Sequence, residues 1–161
     1  ASDVYKRQQL GINRNQAAEY IAMYFDRYPG VRIYMDEIRK LAAAQGYVET
    51  YFGRRLYLPE INSSNGMRRQ AAERTAINAP MQGTAADIIK VAMVNLERFF
   101  QKNDFDINSI LQVHDELVFE VPEDYDEKNI SYLINLMEES SSIDVPLKVE
   151  YGFGTNWREA H

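Results

Sequence analysis

The stretch Ile110-Leu111-Gln112-Val113-His114-Asp115-Glu116-Leu117-Val118-Phe119-Glu120-Val121 constrains the fold of this chain more than any other. Two carboxylates and an imidazole interrupt a run that otherwise wants burial. Such a run reads as two short strands, and the polar trio falls where the chain must turn. A buried or half-buried carboxylate needs a partner, and a divalent metal is one of the few good ones. Asp is also common in turns for conformational reasons alone. Taken by itself, Val113-His114-Asp115-Glu116 therefore fits a plain turn as well as a metal ligand.

With 161 residues the chain can bury one core of its own or form part of a larger one. It has no cysteine, which excludes disulfides and thiolate metal sites. No apolar run approaches the roughly 20 residues that span a bilayer, and Ala1 to Gln9 lacks the apolar segment of a secretory signal. The net charge of -6 argues against a general nucleic-acid binder. The average hides an asymmetry: Arg39, Lys40, Arg54, Arg55, Arg68, Arg69 and Arg74 cluster in one region. Beyond Asn103 the acidic residues dominate, from Asp104 to Glu127. Segregated charge fits either a basic surface facing an anion or two solvated faces of opposite sign.

The rest of the chain reads as helices with a second hairpin. Asn13 and Gln16 form a capping pair ahead of Ala17, Tyr20, Ile21, Tyr24 and Phe25 at helical spacing. Pro29-Gly30 stops that helix. A second runs from about Val31 to Gln45, ended by Gly46. Tyr47 to Phe52 alternates as a strand, Gly53 turns, and Leu56 to Leu58 returns. After a polar loop, 62–66, a long helical region spans about Met67 to Phe100. Pro80 and Gly83 lie inside it and predict a bend or break near Ala79. Glu127 to Glu139 is a helix with Ile130, Leu133, Ile134 and Met137 on one stripe. Val145 to Tyr151 reads as a closing strand.

Arg74, Asn78 and Gln82 are spaced by four and four, so a helix aligns them in one stripe among Ala71, Ala72, Ala76 and Ala79. Long donors among small neighbours let a large partner approach closely. Every base pair shows minor-groove acceptors at purine N3 and pyrimidine O2, so donors can test pair geometry without reading sequence. The same residues also suit a solvated helix face.

The joint pattern resembles a known family. Ala72-Glu73-Arg74-Thr75-Ala76-Ile77-Asn78-Ala79-Pro80-Met81-Gln82-Gly83-Thr84-Ala85-Ala86-Asp87-Ile88-Ile89-Lys90 is similar to the helix before the catalytic hairpin of family A DNA polymerases, the bacterial DNA polymerase I family. Gln112 to Val121 resembles that family's motif C. Gly46 to Thr50 and Gly53 to Ile61 resemble its fingers hairpin. Tyr24-Phe25 with Arg27 to Val31 resembles a fingers helix end, and Asn156 to His161 its C-terminus. The likeness runs from about Gln9 to His161.

The resemblance implies an α+β fold: a partial polymerase palm with the motif C hairpin packed on helices, plus the helical remainder of the fingers. Residues 1–8 are expected to be a non-native leader, 9–65 part of the fingers and 66–161 the C-terminal part of the palm. It implies nucleotidyl transfer from a dNTP to a primer 3′ hydroxyl, with two Mg²⁺ ions in the complete active site. Asp115 is then a metal ligand, Glu116 an auxiliary carboxylate near the primer end, and His114 a primer-backbone contact. Arg74, Asn78 and Gln82 take the template and minor-groove roles. Arg54, Arg55, Arg68 and Arg69 are candidate phosphate contacts. The implied partners are primer–template DNA, dNTP and the N-terminal part of the polymerase, with no membrane, in the bacterial cytoplasm or nucleoid.

The family's other metal aspartate sits in motif A, which is absent here, as is the nucleotide-binding helix. The expectation is a C-terminal fragment that is inactive alone and leaves an unpaired sheet edge with exposed apolar surface. The competing readings are a DNA-binding module without chemistry and a structural fragment without DNA affinity.

Overall fold

The structure is a computed structural model that describes residue 11, residues 13–125 and residues 127–160. The expected leader, 1–8, lies outside them. The described residues divide into two compact units, those within 1–49 with 55–79 and those within 50–54 with 80–161.

The first unit begins with α1, Arg14–Arg27, and its start is fixed locally. Asn13 Oδ1 accepts from Gln16 N at 2.9 Å, and Gln16 Oε1 accepts from Asn13 N at 3.0 Å. This reciprocal pair satisfies two helix-end donors. Helix α2 is Pro29–Gln45. Pro29 opens it rather than merely ending α1, because the first helical position needs no N–H and suits proline's fixed φ. Gly46 closes α2 at φ 80°, a left-handed conformation that glycine adopts without a Cβ clash.

Strand β1, Tyr47–Glu49, pairs antiparallel with β2, Arg55–Tyr57, with Val48 opposite Leu56. The first strand is shorter than the alternation suggested: 50–54 leaves the ladder. Ala42, Val48, Leu58, Ile61, Ala72 and Ala76 form this unit's core. The alanines belong to α2 and to α3, Gly66–Asn103, whose start is capped by Asn65 Oδ1 accepting from Met67 N at 3.0 Å. The apolar stripe of α1 does not enter this core. Tyr20, Ile21 and Tyr24 are exposed, and α1 buries no residue among those described.

Helix α3 is one continuous helix through Pro80, so of the expected bend or break the break does not occur. Pro80 lacks an N–H, so Ala76 O loses its usual helix donor; the turn that follows is tied by Thr84 Oγ1 donating to Pro80 O at 2.6 Å and Arg54 Nη2 donating to Gly83 O at 3.1 Å. The second unit holds the later part of α3, β3 (Asn108–Val113), β4 (Glu116–Glu120), α4 (Ile130–Glu138) and α5 (Trp157–Ala160), with a short 3-10 turn at Glu127–Asn129. Leu96, Phe100, Ile107 and Leu133 form its core, flanked by Leu117, Phe119, Ile130 and Met137. Ile134 is half-buried.

Strands β3 and β4 pair antiparallel, and the register shifts between Ser109 and Leu111. Ser109 faces Phe119, but Leu111 faces Val118. Ile110 is the extra residue of a bulge, and a one-residue insertion moves the later residues of the strand to the other face. Leu117 and Phe119 therefore reach the core, while Ile110 and Leu111 are exposed. Among the described residues β3 pairs only with β4. The closing strand expected at Val145–Tyr151 is absent: a strand needs a ladder, and this segment pairs with none of the described strands. Val149 N donates instead to Glu138 Oε1 at 3.0 Å. No described helix is long and apolar enough to cross a membrane.

Leu96 is 1% exposed. Leu96→Ala is expected to lower the unfolding free energy by about 2–5 kcal/mol in a urea titration. Ile110→Ala is expected to change it by less than about 0.5 kcal/mol. A larger loss at Ile110 than at Leu96 would overturn this placement of the core.

Candidate DNA-contacting face and carboxylate turn

The polar trio falls at the hairpin end, as its sequence requires. His114 and Asp115 form a two-residue loop, and Glu116 opens β4 opposite Val113. His114 has φ 51°. A tight hairpin needs positive φ in its loop to match strand twist. In a residue with a Cβ this costs about 1–2 kcal/mol. Packing offsets it: Leu117 and Phe119 are half-buried against the second core, and apolar burial contributes roughly 25 cal/mol per Å². Phe119 also meets Phe100 edge-on at 5.7 Å between centroids. Gln112 Nε2 donates to His114 O at 2.7 Å, closing the loop from the side.

His114 and Asp115 are exposed, and Glu116 is half-buried. Asp115 is thus an exposed oxygen donor held at the tip of a packed hairpin. Among the described residues no group of three His, Asp or Glu side chains gathers at a point. A hard cation here would take Asp115 oxygens and complete its shell with water or phosphate, a pattern Mg²⁺ favours.

Arg74, Asn78 and Gln82 all lie on α3, and all are exposed. Ala72 and Ala76 occupy the opposite side and are buried. The core thus sets the face from which Arg74 and Asn78 project. Among the described residues none of the three side chains has a hydrogen-bond or ion-pair partner. Their donors are uncommitted.

The other candidate arginines are engaged. Arg55 Nε pairs with Glu49 Oε1 at 2.7 Å and its guanidinium lies 4.6 Å over the Tyr47 ring. Arg68 reaches Glu60 at 3.8 Å; both are largely exposed. Arg69 donates to Ser63 O at 2.9 Å and lies 3.9 Å from Glu73. Exposed pairs of this kind contribute at most about 1 kcal/mol, so an incoming phosphate could displace them.

Arg54 differs. Its Nε donates to Asp87 Oδ1 at 2.8 Å and its Nη2 to Gly83 O at 3.1 Å. The loop 50–54 is closed by Thr50 N to Arg54 O and Gly53 N to Thr50 O, each 2.9 Å. Tyr51 N donates to Thr84 Oγ1 at 2.9 Å. Asp87 is buried, which alone would raise its pKa. The nearby Thr50 hydroxyl and the Arg54 guanidinium, with the charges of Arg54 and Lys90, outweigh burial and hold the carboxyl below its ordinary 3.8. Asp87 Oδ2 nonetheless has no hydrogen-bond partner of good geometry. Sequence reasoning missed Thr50, Gly83 and Asp87 as a set. The available signal was a lone carboxylate between Ala85-Ala86 and Ile88-Ile89.

Comparison with known proteins gives four findings. A family model described as DNA polymerase family A matches residues 2–159, so it takes in all but the first of the residues read as a leader. The DNA polymerase I of Pseudomonas aeruginosa is 58% identical over 154 residues, covering 96% of this chain and 17% of that protein. That of Lactococcus lactis subsp. lactis is 47% identical over 161 residues, covering 99% and 18%. A solved structure, the POL domain of Pol1 from M. smegmatis in complex with DNA primer-template and dNTP, superposes with a TM-score of 0.90 at 45% identity. It covers 96% of this chain and 27% of that one. The chain thus spans under a fifth of the curated relatives' length.

The depressed Asp87 carboxyl makes a signed pH prediction. Its stabilisation is fully present above its unfolded value of 3.8 and is lost as pH falls through the lower folded value. Arg54→Ala removes the main positive partner. The gap in melting temperature between wild type and Arg54→Ala should be present at neutral pH and narrow on acidification below about pH 4. A gap that widens on acidification would contradict the pairing.

Proposed function

This chain belongs to DNA polymerase family A, and we propose that it supplies the primer-end face of a template-directed DNA polymerase. The observation that carries this reading is the carboxylate turn. Asp115 stands exposed on a strained two-residue loop, on a hairpin anchored by Leu117 and Phe119. Strain at an exposed carboxylate turn is a reason to look for function there. The solved relative was obtained with DNA primer-template and dNTP, and the same two partners are proposed here.

Asp115 is the proposed metal-binding aspartate. Its oxygen donors and open surroundings suit Mg²⁺. When bound, two such ions would stabilise the charge that develops as a primer hydroxyl displaces pyrophosphate from a dNTP. Glu116 is an auxiliary carboxylate near the primer end, and His114 contacts the primer backbone. Arg74, Asn78 and Gln82 lie against the minor groove, where their donors meet purine N3 and pyrimidine O2. Arg55, Arg68 and Arg69 exchange weak surface pairs for phosphates. A single metal aspartate does not complete a two-metal site, so the 161-residue chain alone is proposed to bind primer–template without extending it.

Titration of the chain with labelled primer–template should give affinity that falls steeply between about 50 and 200 mM salt, as phosphate neutralisation requires. Gln82→Ala should weaken binding about tenfold, the size of one lost groove contact. Primer extension with Mg²⁺ should yield no product. Salt-independent or absent binding would sink the DNA reading. Processive synthesis would sink only the claim of inactivity.

A further inference from the structure

Gln82 sits at the weakest part of α3. Pro80, two residues earlier, has no N–H to give the ladder, and its ring strains the preceding turn. Gly83, the next residue, is about 1 kcal/mol less favourable in a helix than Ala. Local propensity alone would let this turn fray.

The loop 50–54 compensates from the side. Arg54 Nη2 grips Gly83 O, Arg54 Nε grips Asp87, and Tyr51 N holds Thr84. These anchors fall one, two and five residues beyond Gln82. The fit is close: a Cβ on Gly83 would meet Thr50 Cγ2 at 2.6 Å and Arg54 Nη2 at 3.3 Å. With Thr50 in place, a side chain at 83 would force the loop to shift, so glycine serves the close approach despite its poor helix propensity. Arg54 spends two donors on the helix and half of its side chain is still exposed. A merely solvated arginine would not be locked this way.

We propose that Arg54 and Asp87, through the Gly83 contact, act as positioning residues for Gln82, fixing the helix turn so that its side chain meets the minor groove of the primer-end base pair. This rests on the groove-contact reading of Gln82. It assigns Arg54 a role inside the protein and not on phosphate.

The test uses primer–template with guanine or 3-deazaguanine at the primer end. The analogue lacks the N3 acceptor, so it reports the groove contact alone. Wild type should bind the analogue about tenfold more weakly, and Gln82→Ala should show no such penalty. Gly83→Ala and Arg54→Lys should lose most of the penalty, because the donor is misplaced. Adding Thr50→Ser to Gly83→Ala keeps the hydroxyl, removes the clashing methyl and should restore the penalty. A general structural role would instead weaken both duplexes equally and preserve the ratio. If Gly83→Ala unfolds by circular dichroism, Arg54→Lys gives the same readout. A full penalty retained in the folded variants overturns the positioning role while leaving the Gln82 contact intact. No penalty in wild type overturns the Gln82 contact itself, and the proposal with it.

Discussion

The loop at 50–54 lying against α3 is the contact on which the rest of the structure depends. It joins a buried carboxylate, an arginine that donates twice and a glycine at which a Cβ would meet the Thr50 methyl. Each element alone would be weak. An exposed ion pair contributes little, and Gly and Pro both disfavour a helix. Together they hold the turn of α3 that follows Pro80, and the exposed donors at Arg74, Asn78 and Gln82 all sit on that one helix. The small residues Ala72 and Ala76 do the complementary work, seating the opposite side of α3 in the first core.

The hairpin shows the same division between support and display. Leu117 and Phe119 on β4 hold it in the second core, and Phe99, Phe100 and Phe105 supply aromatic surface around them. The bulge at Ile110 turns Leu111 away from that core. What the hairpin displays at its tip is Asp115, on a loop whose first residue is held at positive φ.

The sequence was legible where the controlling interaction was local. Asn13 and Gln16 cap each other across three residues, and Gly46 closes α2 because the next conformation is left-handed. The carboxylate turn was readable for the same reason, since its strands flank it directly. Val145 to Tyr151 failed because a strand is defined by a partner that its own residues do not specify. The apolar stripe of α1 predicted a helix correctly but not burial. Pro80 predicted a break that the continuous helix does not show, and the bonds that hold the turn after it come from residues about thirty positions earlier in the chain. The resemblance to family A polymerases carried the candidate site residues. The role of Arg54 could be read only from geometry, since in sequence it is one basic residue among several.

The central claim is that the uncommitted donors of α3 face DNA. Its most direct measurement is the side-chain NMR of this chain during titration with primer–template. The amide groups of Asn78 and Gln82 should shift on binding, while those of Gln101 and Asn103, already bonded to Glu97 and Phe99, should not. Shifts confined to Gln101 and Asn103, or none at Asn78 and Gln82 when DNA is bound, would contradict it.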